Sequence, residues 1–252
     1  MTALIAQCGL SCRLFKKNMQ TKQNQLWIID IDGTIVNVHS NQVPAWLNMF
    51  RDVYGVTMDE TTLVTFFGKP FTSVLVEALS HAGLSEAEVL TRYDQAFAGY
   101  VKGVQDGLDK NGGSILPGAL NLLEELGKRK ILRAISTGNP EDEAIHKLRF
   151  FNLLKYFEIM VFAGDRRERF ELVEEVLRRA DKEYGVSVQG KQVHIIGDSP
   201  HDIVSAKKIG AVSVAVSTGP TPYETLARSK PDLIYRSLED YQGIIREASE
   251  IR

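Results

Sequence analysis

The sequence predicts an α/β protein in which a mostly parallel sheet lies between two layers of helices and an all-helical segment interrupts the pattern. From residue 116 to the end, short apolar runs alternate with helical patterns, which is typical of a parallel sheet covered on both faces. Residues 40–113 carry apolar residues at helical spacing without a strand-like run, which indicates a helical insert.

The first strand is predicted over Leu26–Ile29, a continuous apolar run suited to burial on both faces of a sheet. Asp30 and Asp32 follow it, and alternation along an extended chain points their carboxylates the same way. Two neighbouring carboxylates are both ionised at low cost only when a cation lies beside them. Asp32-Gly33 also fits a hairpin turn, but such a turn needs no acid at position 30.

The composition is that of a globular protein of 252 residues, with 44% hydrophobic and 25% charged residues. The net charge of -2 argues against a nucleic-acid partner, and no apolar run has the length of a membrane span. The two cysteines, Cys8 and Cys12, argue against a disulfide framework or a zinc site. We therefore expect a reducing, cytoplasmic compartment and no membrane partner.

Residues 1–25 contain several basic residues and no acid. This composition fits a targeting presequence, although the segment lacks a long apolar run. It also fits an N-terminal tail or an over-long start with Met19 as the natural beginning, and we favour this reading because the organised sequence begins at Leu26.

The helical insert is predicted at residues 40–113, which leaves 26–39 and 114–252 for the sheet domain. Pro44 suits the first turn of the first helix, Phe71–His81 forms another, and Ser85 caps a third. Gly112-Gly113-Ser114 then breaks the helical pattern.

Strands and helices alternate after the insert. The elements predicted in order are a helix opened by residues 117–119, a strand at 131–135, a helix at 140–150, a strand at 159–162, a helix at 168–184, a strand at 192–196, a helix at 200–209, a strand at 212–216, a short helix, a last strand at 232–234 and a final helix.

A glycine turn follows the strand at 131–135. Its residues Ser136-Thr137-Gly138-Asn139 offer a hydroxyl and backbone N–H groups to an anion at the start of the next helix. Asn139 also suits the N-cap position before Pro140. Both roles can hold, because capping and anion binding use adjacent groups.

Three arginines, Arg166, Arg167 and Arg169, surround the start of the helix at 168–184. Cations are unfavourable at a helix N-terminus, and at least two of the three are expected to lie on the surface.

The strand at 192–196 ends in Gly197-Asp198, and Asp202 follows four residues later in the next helix. Asp198 or Ser199 would suffice to cap the helix that begins at Pro200. Capping needs only one such residue, so we expect Asp202 to have another role.

These motifs together resemble those of the haloacid dehalogenase (HAD) superfamily. Asp30-Ile31-Asp32-Gly33-Thr34 is similar to its nucleophile motif, Thr137 to its phosphate-binding hydroxyl, Arg169 to its basic residue and the spacing from Asp198 to Asp202 to its fourth motif. The motifs occur in the family's order, and Val216–Pro220 and Lys230–Asp232 resemble the tail of phosphoglycolate-phosphatase-like members. The resemblance implies a Rossmann-like core with a C1-type helical cap at 40–113.

The resemblance also implies roles for the residues of the motifs. Asp30 would be the nucleophile and Asp32 the general acid and base, with Mg²⁺ held by Asp30, Asp198 and the backbone carbonyl of Asp32. Asp202 would orient the basic residue or the metal-bound waters. Phosphate would be bound by Thr137, Gly138, Asn139 and Arg169. Phe170 stands where the family usually has proline, and Asn37 where close relatives often have aspartate.

The implied activity is hydrolysis of a small phosphorylated metabolite, such as phosphoglycolate. Alternatives are a β-phosphoglucomutase-like mutase, a dehalogenase, against which Asp32 argues, and a non-catalytic phosphate-binding module. Lys69, in the insert, is a candidate for substrate specificity or a solvated loop lysine. The oligomeric state cannot be predicted from these patterns.

Overall fold

The computed structural model describes residues 25–251 and shows six parallel strands in one sheet. In chain order all the strands of the described residues are β1 (Leu26–Ile29), β2 (Val36–Asn37), β3 (Ser114–Ile115), β4 (Leu132–Ser136), β5 (Ile159–Val161), β6 (Val193–Gly197), β7 (Val212–Val216) and β8 (Leu233–Tyr235). Strands β2 and β3 form a separate two-stranded sheet. The order in the six-stranded sheet is β5-β4-β1-β6-β7-β8, so β1 lies at the centre, where the chain turns from one half of the sheet to the other. Ligands of open α/β sheets bind at the carboxyl ends of strands beside such a point.

Helices connect the strands and cover both faces of the sheet. In chain order they are α1 (His39–Met49), α2 (Glu60–Leu63), α3 (Phe71–His81), α4 (Glu86–Thr91), α5 (Tyr93–Asn111), α6 (Ala119–Lys128), α7 (Glu141–Phe150), α8 (Arg169–Tyr184), α9 (Pro200–Lys208), α10 (Tyr223–Arg228) and α11 (Tyr241–Glu250). A π-helical segment, Phe50–Tyr54, continues α1, and short 3-10 helices occupy Val64–Phe66, Leu154–Tyr156 and Gly190–Gln192. These elements confirm the predicted α/β architecture.

The central strand β1 is buried on both faces, as its apolar run predicts. Trp27 and Ile29 pack into the hydrophobic cluster on one side of the sheet, and Leu26 and Ile28 into the cluster on the other. The side chains alternate because successive residues of a strand point to opposite faces. Burial on both faces holds the end of β1, and hence Asp30, in a fixed position.

The helices between β2 and β3 have a hydrophobic cluster of their own. Trp46 of α1 lies at its centre, with its ring centroid 5.0 Å from that of Phe71 and 4.3 Å from that of Tyr100. Aromatic residues at helical spacing supply large apolar areas to such a cluster. The division into a core at 26–39 and 114–252 and a cap at 40–113 agrees with this packing and stays a prediction.

Two local features differ from the predicted elements. Pro44 lies inside α1 rather than in its first turn, because the helix begins at His39. Strands β2 and β3 were not predicted. They form an antiparallel pair that joins the two ends of the insert, with Val36 opposite Ile115. Strands of two residues are too short to show a period of two in the sequence.

Across residues 25–251, no helix combines the length and the apolar character that a membrane crossing demands. The predictions for the N-terminal tail and for Cys8 and Cys12 fall on residues 1–24, outside the described residues.

Candidate active site

A cavity of about 290 Å³ lies between the carboxyl ends of the central strands and the helical insert. Asp30, Thr137 and Asp198, which follow β1, β4 and β6, line it from the sheet side. Trp46 and Tyr100 line it from the insert. The parallel strands therefore bring three motifs that are distant in sequence to one edge of the sheet.

Three carboxylates meet at this edge. Asp30, Asp198 and Asp202 are buried, and each offers an oxygen atom that lies within 4.8 Å of those offered by the other two. Gly33, with a φ of 71°, lets the chain turn beside them, and a Cβ at this position would overlap the Asp198 carboxylate. The close approach of the Asp32-Gly33 peptide to Asp198 thus requires glycine.

Burial changes the protonation of this cluster. It raises the pKa of Asp30 from 3.8 to about 6, with Arg169 opposing and Asp202 adding to the rise. Burial, followed by the charges of Asp30 and Asp202, raises the pKa of Asp198 well above its usual range. A low-dielectric site disfavours each carboxylate, and like charges nearby add to the effect.

Arg169 is the cation of this cluster and the first residue of α8. Its Nη2 lies 2.7 Å from Asp30 Oδ1 and 2.9 Å from Asp202 Oδ1, and it donates to the carbonyl of Ser136 at 3.1 Å. Burial alone would lower the pKa of Arg169, but the two carboxylates raise it. Arg167, by contrast, is exposed and pairs with Glu86 at 2.9 Å.

Asp202 also has a structural role that the sequence reasoning missed. Ser199 is the N-cap of α9, and its hydroxyl donates to Asp202 Oδ2 at 2.6 Å while the backbone N–H of Asp202 donates back to that hydroxyl. This is a capping box, in which the third helical residue normally is an acid or amide. The premise that capping does not involve Asp202 was therefore wrong, whereas the expected second role is present as its contact with Arg169.

Asp32 lies apart from the three-carboxylate cluster. Lys147 Nζ donates to both its oxygens, at 3.0 and 2.8 Å, and Gln42 Nε2 donates to Oδ2 at 3.0 Å. Asn139 Nδ2 also donates to Oδ2. The two aspartates of the D-x-D motif thus have different partners, a guanidinium for Asp30 and an ammonium for Asp32.

Lys147 and Glu143 are functional candidates that the sequence analysis did not identify. Both lie on α7, one turn apart, both are fully buried, and they form an ion pair. Burial raises the pKa of Glu143, and Lys147 partly opposes the rise. Burial alone would lower the pKa of Lys147, but Asp32 and Glu143 raise it, so it is an ammonium. Their only signal in the sequence is an i,i+4 Glu–Lys pair on the same helix as buried Ala144 and Leu148.

The turn after β4 holds the predicted phosphate-binding residues. Thr137 is buried and lines the cavity with Gly138 and Asn139. The side chain of Asn139 binds Asp32 and does not cap α7, whose N-cap residue is Pro140. Gly138 accepts a hydrogen bond from the backbone of Phe71 at 2.8 Å, and a Cβ at Gly138 would overlap the Lys69 carbonyl. The turn is therefore packed directly against the insert.

Lys69 lines the cavity, but its ammonium forms an ion pair with Glu77 on α3. Asn37 also lines the cavity. Thr218 and Gly219, from the segment that resembles the tail of the family, complete the wall beside Asp198, and Thr218 Oγ1 donates to the carbonyl of Gly33 at 2.5 Å. The sequence pattern of this segment alone does not assign it to the site.

A model of haloacid dehalogenase-like hydrolases matches residues 27–216. The chain belongs to this family. The matched range begins in β1 and ends with β7, so it includes the insert and all the strand ends that form the site.

Curated relatives of this hydrolase cover most of the chain. A putative pyrophosphatase, PpaX, of Caldanaerobacter subterraneus subsp. tengcongensis is 24% identical over 88% of this chain and 95% of the relative. A plasmid-encoded phosphoglycolate phosphatase of Cupriavidus necator is 26% identical over 88% of this chain and 93% of the relative.

Solved structures show that the fold is shared as well. A β-phosphoglucomutase of Clostridium difficile superimposes with a TM-score of 0.73 at 21% identity, covering 90% of this chain and 97% of that one. This likeness confirms the predicted Rossmann-like architecture of the haloacid dehalogenase-like chain.

Proposed function

We propose that this protein is a Mg²⁺-dependent phosphatase that hydrolyses a small phosphate monoester through an aspartyl-phosphate. The observation that supports it most is the buried cluster of Asp30, Asp198 and Asp202, with Arg169 as its cation. Asp30, Asp198 and Arg169 line the cavity. The family membership and the phosphatase names of the relatives agree with this proposal.

The residues of the cluster fit a divalent metal ion. Their donor atoms are carboxylate oxygens, which hard cations such as Mg²⁺ prefer, and one guanidinium opposes three buried acids. Asp202 accepts hydrogen bonds from both Arg169 and Ser199, so the side chains of Asp30 and Asp198 would hold the ion. The resemblance to the family adds the backbone carbonyl of Asp32 to these ligands. Bound Mg²⁺ supplies charge compensation between the carboxylates and the phosphate.

The residues of the site then divide the chemistry. A carboxylate oxygen of Asp30 attacks phosphorus and forms the new P–O bond while the bond to the ester oxygen breaks. Asp32 gives its proton to that oxygen. In the second step Asp32 takes a proton from the water that attacks phosphorus, while the bond between phosphorus and the Asp30 oxygen breaks and inorganic phosphate leaves. Thr137 and Arg169, which line the cavity beside Asp30, hold the phosphoryl oxygens as their charge redistributes.

The substrate is a phosphorylated metabolite small enough for a cavity of about 290 Å³. The relatives are named for pyrophosphate and phosphoglycolate, so both compounds belong in a first panel, with sugar phosphates. We propose Lys69 as a specificity residue. Its ammonium pairs with Glu77 and would contact an anionic group of the substrate at the same time.

The test is release of inorganic phosphate from p-nitrophenyl phosphate and from this panel, with Mg²⁺ and with EDTA. We expect activity with Mg²⁺, its loss with EDTA, and its loss in Asp30→Asn. Asp181→Asn, which removes an exposed carboxylate in α8, is the matched control and should keep full activity. Turnover by Asp30→Asn, with contaminating phosphatase excluded, would contradict the proposal, and isomerised sugar phosphate in place of free phosphate would favour a mutase.

A further inference from the structure

Lys147 is a fully buried cation to which the proposed chemistry gives no role. Its ammonium lies 3.0 and 2.8 Å from the two oxygens of Asp32 and also contacts Glu143. Asp32 is the residue to which the proposed function assigns the proton transfers. Lys147 is not among the residues that line the cavity, so it contacts Asp32 from outside the space that a substrate would occupy.

A chain of polar contacts extends from Lys147 to the helical insert. Glu143 Oε1 accepts a hydrogen bond from the hydroxyl of Tyr100 on α5 at 3.0 Å and from Gln42 Nε2 on α1 at 3.4 Å. The same Gln42 nitrogen donates to Asp32 at 3.0 Å. Tyr100 and Gln42 also line the cavity. The surroundings of Asp32 are thus completed by two side chains of the insert.

Stability alone gives weak reason for these buried charges. Well-packed apolar residues of similar volume often stabilise a protein as much as a buried ion pair does, because desolvation of the charges offsets their attraction. A buried ammonium that bridges both oxygens of a carboxylate does something that an apolar residue cannot do. It fixes the rotation of that carboxylate and the position of its charge.

We propose that Lys147 is a positioning residue that holds Asp32 in the orientation for proton transfer, and that Glu143 and Tyr100 link this arrangement to the insert. The proposal rests on the proposed phosphatase function. It predicts that loss of Lys147 impairs the reaction in proportion to how much the leaving group needs a proton. Loss of a merely structural contact would impair all substrates alike.

The test compares two aryl-containing phosphates in Lys147→Met. Benzyl phosphate releases an alkoxide that must be protonated, whereas p-nitrophenyl phosphate releases a stable phenolate that needs no proton. For each substrate, kcat/KM reports the first chemical step, in which Asp32 is the acid. We expect a loss of about 100-fold with benzyl phosphate, because general acid catalysis contributes on the order of 10²–10⁴-fold, and a loss of less than about threefold with p-nitrophenyl phosphate.

The kcat/KM ratio of the two substrates is measured within one preparation, so it does not depend on how much of the variant is folded. Arg133→Met is the matched control. Arg133 forms an ion pair of low exposure with Glu158, with 2.5 Å between their charged atoms, and neither residue lines the cavity. Its ratio should equal that of the wild type. An unchanged ratio in Lys147→Met overturns the proposal, whereas a wild type that hydrolyses neither compound nor the metabolite panel overturns the proposed function instead.

Two further variants keep the proposal testable if Lys147→Met is insoluble. Tyr100→Phe removes only the hydroxyl that contacts Glu143, and Glu143→Gln removes the charge that holds Lys147. Each should shift the substrate ratio in the same direction by about three- to tenfold, because coupled residues act through one another. In Glu143→Gln/Lys147→Met the shift should match that of Lys147→Met alone, and independent, multiplying effects would show that Glu143 does not act through Lys147.

Discussion

Asp30→Asn should change how the stability of the metal-free protein depends on pH. Burial raises the pKa of Asp30 from 3.8 to about 6. The folded protein therefore keeps a proton that the unfolded chain releases, and the free energy of unfolding falls as the pH rises from about 4 through 6. A shift of about two units corresponds to about 3 kcal/mol in total, of which about 1.4 kcal/mol falls between pH 5 and pH 8.

The assay is urea unfolding in EDTA at pH 5 and pH 8. The wild type should lose about 1.4 kcal/mol more between these two values than Asp30→Asn does, because the amide cannot titrate. Asp181→Asn, which removes one exposed carboxylate, should follow the wild type. Addition of Mg²⁺ should restore wild-type stability at pH 8, since a bound cation stabilises the ionised carboxylate.

Equal losses of stability between pH 5 and pH 8 in Asp30→Asn and the wild type would refute the raised pKa of Asp30. That result would mean that Arg169, 2.7 Å away, compensates the charge of Asp30 fully in the folded protein. A pH-dependent difference that persists undiminished in saturating Mg²⁺ would instead show that no cation binds beside Asp30.

Three other substitutions have expected outcomes. Arg169→Met leaves Asp30 and Asp202 without their shared cation, so urea unfolding in EDTA should show a loss of about 3 kcal/mol, and phosphate release should fall by about 100-fold or more. Gly138→Ala places a methyl group against the Lys69 carbonyl and should lower the free energy of unfolding by about 1–3 kcal/mol. Burial lowers the pKa of His194 from 6.5 to about 4. The wild type should therefore lose about 2 kcal/mol between pH 7 and pH 5 that His194→Gln does not lose.

Much of the site was predictable because it follows parallel strands. Asp30, Thr137 and Asp198 each come directly after a buried apolar run, and the carboxyl ends of parallel strands meet at one edge of the sheet. Arg169 was separable from its neighbours only by resemblance to the family. The structure gives a physical reason for the choice, since Arg169 alone of the three arginines lies in contact with Asp30.

The parts that could not be predicted depend on long-range packing. An i,i+4 glutamate and lysine normally form a solvated surface pair, so nothing local indicates that Glu143 and Lys147 are buried. Their burial follows from the insert, because Gln42 and Tyr100 contact Glu143 on α7. These two residues lie about 100 and about 40 positions before Glu143 in the sequence. Pro44 lies inside α1 although proline is unfavourable in a helix interior, so this local preference did not locate the start of the helix.

The charges of the site divide into two groups, and this division separates the roles of the D-x-D aspartates. Asp30 and Asp202 share one guanidinium and Asp198 lies beside them, and two like charges 4.8 Å apart repel by about 3.5 kcal/mol at an effective dielectric constant of about 20. A divalent ion bound by these carboxylates would offset this repulsion. Asp32 lies instead against the ammonium of Lys147, which also pairs with Glu143. Two acids only two residues apart can therefore take different roles, because the fold gives each a different cation.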